Sequence, residues 1–383
     1  VSGTSDLGAD VKTTGNQTYT GNTTISADIT LTGGAQLTFG GTVNSSSTDS
    51  ASDTDNLSTV FTETEFDGAV GSNYGLGVIS ITGALDLDAV ITNATSLSVS
   101  TTSNLAANVT TSGTQTYTGA VTLSGGDRTL QGSTIDFGNT LTGTGSHDLT
   151  ITGALDLDGA ATSIVDLSVS TTSNLAANVT TSGTQTYTGA VTTDGSRTLQ
   201  GTTVNFGNTV TGTTAASDDL TITGILDLDG AITDINDLSV SSTSNLGANV
   251  TTTGTQTYTG AVTLSGAART LTTTGDAVTF ASTIDGAQDL TVDTTNSGGS
   301  SAATVQFGGV VGGTTPVGAI IITGNLDLNA DILQSDNTAG ATSVAVSGTS
   351  DLGADVKTTG NQTYTGAVTL SANNTLTTTS NGN

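Results

Sequence analysis

Carboxylates are the one reactive group this chain carries in quantity, with 33 Asp+Glu against 5 Lys+Arg and a single histidine. They recur in pairs. Asp86/Asp88, Asp156/Asp158 and Asp227/Asp229 stand in L-D-L-D segments, and a fourth copy keeps Asp327 but has Asn329 in the second place. In an extended strand each pair lies on one face, about 7 Å apart. That is the donor type of a hard cation such as Ca²⁺, which takes six to eight oxygens. The copies return only once per repeat, so neighbouring pairs are too far apart to share an ion, and the calcium-repeat signature GGxGxDxUx is absent. We read the pairs as solvated faces and expect no metal and no cofactor, with Ca²⁺ at these aspartates as the alternative.

The other candidates reduce in the same way. Glycoside hydrolysis needs a carboxyl with a raised pKa facing an ionised one across a cleft, and no carboxylate cluster in the regular repeats is unique. Arg128, Arg197 and Arg269 occupy equivalent R-T-L sites, two of them near Asp127 and Asp194. They read as surface arginines beside carboxylates. Lys12 and Lys357 are copies of one another, and an exposed pair at such a site contributes about 0–1 kcal/mol. His147, in the turn G-T-G-S-H-D, reads as a solvated loop residue. No catalytic residue is assigned, and the chain is not expected to be an enzyme. The non-repetitive chemistry lies in two insertions. Val43–Val78 holds Asp49, Asp53, Asp55, Asp67, both glutamates (Glu63 and Glu65), Phe61, Phe66 and Tyr74, and Asp293–Gly318 holds Phe307 and the one proline, Pro316. Insertions in repeat folds project from one face, often a binding face. These two are expected to be decorations resting on the repeat or on a neighbouring subunit.

A net charge of −28 with five basic residues cannot form a phosphate-binding groove, so nucleic acid is not an expected partner. No apolar run approaches a membrane-spanning length. Zero cysteine removes disulfide frameworks and thiolate chemistry. Val1 reads as an excised or processed start.

The elements that must position these residues are repeats. Q-T-Y-T-G occurs at Gln17–Gly21, Gln115–Gly119, Gln185–Gly189, Gln256–Gly260 and Gln362–Gly366. The cleanest unit, Leu97–Asp166, recurs as Leu167–Asp237. The units divide as 1–96, 97–166, 167–237, 238–343 and a partial 344–383, within one continuous segment 1–383, with decorations at about 43–78 and 293–318. Val1–Gly21 and Val346–Gly366 are identical over 21 residues at an offset of 345. Within units the apolar residues alternate, as in Leu149/Ile151 against Thr150/Thr152, which means one buried and one wet face. Threonine fills 87 positions and glycine 51, while helix-forming Glu, Lys, Gln, Arg and Met are scarce. Gly-bearing breaks divide a unit into Ser98–Gly119, Ala120–Gly145 and Ser146–Leu167. Each stretch has the length of one rung of a parallel β-helix. The fold expected is all-β: a right-handed parallel β-helix (β-solenoid) with about three rungs per 70-residue unit, its hand set by the parallel-crossover rule. Fifteen rungs in 345 residues give an axial repeat of about 70 Å.

S-N-L-A-A-N-V-T-T-S-G-T-Q-T-Y-T-G-A-V-T-L and L-T-I-T-G-A-L-D-L-D-G resemble the repeats of filamentous-haemagglutinin-like and autotransporter-like bacterial surface proteins, over nearly the whole chain outside the insertions. The resemblance implies a secreted β-helical stalk or fibre at the cell surface and carries over no catalytic residue. The expected function is a structural segment of an extracellular fibre. Its partners are copies of itself or adjacent repeats end to end, since neither end shows a polar cap. The alternative is an adhesin stalk whose insertion loops bind a surface or glycan.

Overall fold

The computed structural model describes residues 1–46, 55–295 and 302–380. Asp49 and Asp53 of the first insertion and 296–301 of the second fall outside the described residues. Two compact units, Val1–Thr188 and Gly189–Asn383, make up the chain. Each is a solenoid of short parallel strands, and no helix occurs among the described residues.

The local cause is the period-two pattern. Strands of three residues, such as Val109–Thr111, Gln115–Tyr117 and Val121–Leu123, all run buried–intermediate–buried. One threonine faces outward between two inward side chains. A three-residue strand cannot be stable alone. Here each backbone pairs with the strand one turn before and one turn after it, about 4.8 Å away. Every turn supplies three strands, one to each of three stacks. In the first unit Leu97 pairs with Gln115, Gln115 with Ile135, Ile135 with Leu155 and Leu155 with Ser173. In the second unit Leu220 pairs with Leu238, Leu238 with Gln256 and Gln256 with Val278.

These registers make a plain turn 18–22 residues long, as in Leu97↔Gln115 and Gln256↔Val278. That is shorter than the longest stretch expected from the glycine breaks. Inside the strand Leu149–Leu157 stands Gly153, at φ 142°. In the fold the strand bends there from one stack to the next without ending, and Leu149–Ile151 and Leu155–Leu157 pair with separate strands of the following turn. A Cβ at Gly153 would lie 1.9 Å from the Gly132 carbonyl oxygen, so only glycine fits the corner.

The turn length has a second consequence. Tyr117 is followed in its stack by Phe137, Leu157 and Leu175, and Tyr187 comes two strands later, on another stack above Ile151 and Val169. Tyr19 belongs to the third, with Phe39, Phe66, Leu87, Leu105 and Leu123. The interval from Tyr117 to Tyr187 is therefore three turns and two strands, beyond the three rungs expected. Successive Q-T-Y copies in the first unit occupy three different sides.

The core is mostly aliphatic, with short aromatic stacks within it. Tyr19, Phe39 and Phe66 stack with ring centroids 5.4 and 5.3 Å apart, and Tyr117 and Phe137 stack at 5.5 Å. In the second unit Tyr258 stacks on Phe280 at 5.3 Å, and Phe307 follows with a tilted ring. The tyrosines carry a polar partner into this core. Gln115 is fully buried; its Nε2 donates to the carbonyl oxygens of Gln131 (2.7 Å) and Val109 (3.2 Å), and its Oε1 accepts from the Tyr117 hydroxyl at 3.0 Å. Gln256 and Tyr258 repeat this clamp. Burial pushes the phenol pKa of Tyr117 and Tyr258 up, so both stay neutral donors.

Candidate metal centre beside the first insertion

The strand Leu57–Phe66, which belongs to the first insertion, pairs in register with Val78–Leu87, so Glu65 lies directly opposite Asp86. Just past the ends of these strands, the Asp67 amide donates to the Phe39 carbonyl at 3.0 Å and the Asp88 amide to the Phe66 carbonyl at 3.1 Å. These bonds hold both backbones. Glu65, Asp67 and Asp88 each bring a carboxylate oxygen to within 4.8 Å of the other two. Glu65 Oε2 also accepts from Thr38 Oγ1 (2.9 Å) and Gln36 Nε2 (3.1 Å).

Burial is the main cause of a raised Glu65 pKa. The Thr38 hydroxyl opposes the rise, and the charges of Asp67, Asp86 and Glu63 add to it. Asp88 is raised in the same direction by burial, then by Asp86 and Asp67. A cation would relieve this crowding, and three carboxylates supply part of the oxygen set that Ca²⁺ takes. The donor chemistry therefore fits a hard cation.

The sequence reading joined Asp86 to Asp88. The structure divides their roles: Asp88 meets the two insertion carboxylates, while Asp86 accepts from Asn104 Nδ2 at 2.8 Å. In the next copies Asp156 and Asp227 accept from Asn174 and Asn245 in the same way. Asp136 stands opposite Asp156 and its pKa is raised, first by burial and then by Asp156 and Asp158. In the second unit Asn205 takes the corresponding place opposite Asp227.

A raised carboxylate pKa fixes the sign of a pH effect. The fold disfavours the ionised form of Glu65 and Asp88, so their contribution is better for stability when protonated and worsens as pH rises from the unfolded pKa through the folded one. Glu65→Gln is thus expected to raise the unfolding free energy at pH 7 by about a few tenths of a kcal/mol, the size typical of like charges facing across strands. The gain should vanish near pH 3. Urea titrations at the two pH values check it, and a variant less stable than wild type at pH 7 contradicts it.

The remaining candidates are structural. Arg128 is only 8 % exposed and donates from Nε (3.0 Å) and Nη2 (2.7 Å) to the Ser124 carbonyl oxygen. Arg269 is 7 % exposed and donates to the Ala267 and Gly247 carbonyls. Both differ from the surface arginines expected: they close a turn from within, and burial lowers their pKa. The Arg197 guanidinium donates to the Asp194 carbonyl, and Lys357 Nζ to the Asn337 carbonyl. His147 sits half-buried in its turn.

Many aspartates serve a role that the sequence did not reveal. Asp127 Oδ1 accepts the Asp148 amide, Asp148 Oδ1 the Asp166 amide, and Asp166 Oδ1 the Thr184 amide. Asp219 and Asp237 form a similar series in the second unit. Each carboxylate satisfies a backbone donor of the next turn at a corner, where strand pairing lapses. Phe61 and Phe66 of the insertion are buried, whereas Tyr74 is exposed.

No helix among the described residues is long and apolar enough to cross a membrane. No family model matches the chain, and neither a curated protein nor a solved structure matches it.

Proposed function

We propose that the chain is a structural segment of an extracellular or cell-surface fibre, in the manner of the filamentous-haemagglutinin-like and autotransporter-like surface proteins whose repeats it resembles. The observation that carries this reading is the fate of the repeated polar motifs. The Gln–Tyr pair is a core clamp, the arginines close turns, and the corner aspartates bind backbone amides. Repetition here serves stacking, and stacking serves length. A right-handed path follows from the crossover preference of parallel strands, and the 70-residue unit is the period at which the clamp returns. The fibre extends through adjacent repeats or through copies stacked end to end.

At 18–22 residues per turn, a 345-residue recurrence is about 17 turns, or an axial repeat near 80 Å. Electron microscopy of native material should show filaments with that repeat or a small multiple of it. Compact isolated particles would overturn the proposal. The adhesive alternative is favoured by one observation, a groove of mixed polar and aliphatic lining formed between the end of the second insertion and the turn at Asp331–Ser335.

A further inference from the structure

We propose that this groove in the second unit binds a neutral pyranose residue of a glycan. It has a volume of about 410 Å³ and is lined by Val310, Thr314, Asp331, Leu333, Gln334 and Ser335, with Gly313 at its edge. The size is at the small end of ligand sites.

Two successive turns form the walls. Val311 bridges to Ile332, and Ile332 to Val356. The Leu333 amide donates to the Val311 carbonyl (3.2 Å) and the Ser335 amide to the Gly313 carbonyl (3.1 Å). The Thr314 amide is held by Asp285 Oδ1 at 2.8 Å. The Asp331 carboxylate is fixed because its Oδ1 accepts the Asp355 amide at 2.9 Å. The groove is thus preformed.

Its chemistry is that of a sugar site. Val310 and Leu333 offer an aliphatic surface to the C–H face of a ring. The second oxygen of Asp331 and the hydroxyls of Thr314 and Ser335 have no partner among the described residues. Gln334 Nε2 spends one proton on a long 3.5 Å bond to the Thr314 carbonyl and keeps the other. Acceptors and donors that share one groove with two aliphatic side chains match the edge hydroxyls and C–H face of a pyranose. The one charged lining group is negative and no basic residue lines the groove, which selects against uronates, sialylated ends and phosphates. One carboxylate is too few for a metal.

This gives the adhesive alternative a site and a ligand class, and it is independent of the fibre reading. The test is saturation-transfer NMR on the full chain with the methyl α-pyranosides of glucose, galactose and mannose, and with methyl glucuronide as anionic comparator. At least one neutral glycoside should bind in the millimolar range and the glucuronide more weakly. Asp331→Asn keeps an acceptor for the Asp355 amide and so keeps the fold; it should weaken binding about tenfold. Leu333→Ser should abolish it with an unchanged circular dichroism spectrum. No signal from any neutral glycoside, stronger binding of the glucuronide, or binding unmoved by both substitutions overturns the proposal. Attachment of the protein to glycan-coated beads without such binding overturns the groove and leaves the adhesive reading standing.

Discussion

Gln115→Met is expected to destabilise the chain by about 3–4 kcal/mol, although the replacement is apolar and of similar size. Removing the amide strands the Tyr117 hydroxyl, bonded to Gln115 at 3.0 Å in a site closed to water, and takes from the Gln131 carbonyl its 2.7 Å donor, leaving it only the 3.4 Å bond from Thr111 Oγ1. Each such orphan costs about 1–3 kcal/mol. Tyr117→Phe removes one partner and leaves Gln115 Oε1 unpaired, so its cost is smaller, about 1–2 kcal/mol. The double variant should cost less than the sum, since the second change removes a group the first had orphaned. The loss should also be local. Contacts in a solenoid link nearest turns, so hydrogen exchange should quicken around Val109, Gln131 and Ile135 and leave remote turns unchanged. A Gln115→Met chain as stable as wild type in urea, with unchanged exchange at Gln131, contradicts the clamp.

That clamp also shows where the sequence was legible. Gln115 and Tyr117 are two apart, with Thr116 between them, in phase with Val121 and Leu123. All four are buried, but apolar alternation marks only the aliphatic pair; the buried amide of Gln115 carries no such mark in the sequence. A stacked-strand β fold followed from the same pattern. What did not follow was the use of polar groups by backbone several turns of sequence away. Asp148 and Asp166 look like solvated turn residues because their partners are amides 18 residues on. Arg128 next to Asp127 suggests an ion pair, yet the nearer acceptor is a carbonyl four residues back. The cation cluster was half visible: Asp88 was singled out, and so were Glu65 and Asp67, but as members of different segments. Only the 22-residue register between Leu57 and Ile79 places them together.

Glycine was legible in number but not in kind, and this sets up the second large effect. Gly153→Val is expected to cost at least about 4 kcal/mol, combining a positive-φ penalty of about 1–3 kcal/mol with a backbone clash. The φ of 142° is one that side-chain-bearing residues rarely adopt, and the new Cβ would meet the Gly132 oxygen at 1.9 Å. Gly15→Ala is the control: nothing lies within 4 Å of its added Cβ, and its cost should stay within about 0.5 kcal/mol. Thermal denaturation of the two variants separates a corner glycine from a permissive one. The corner matters because it sets phase. Gly153 sends Leu155–Leu157 to a different stack from Leu149–Ile151, and Gly83 and Gly224 hold positive φ inside the equivalent strands. The Q-T-Y interval in the first unit is three turns and two strands, so Tyr19, Tyr117 and Tyr187 stand on three different stacks. A variant that straightened the corner would take Leu155–Leu157 off the stack it shares with Ile135 and Ser173.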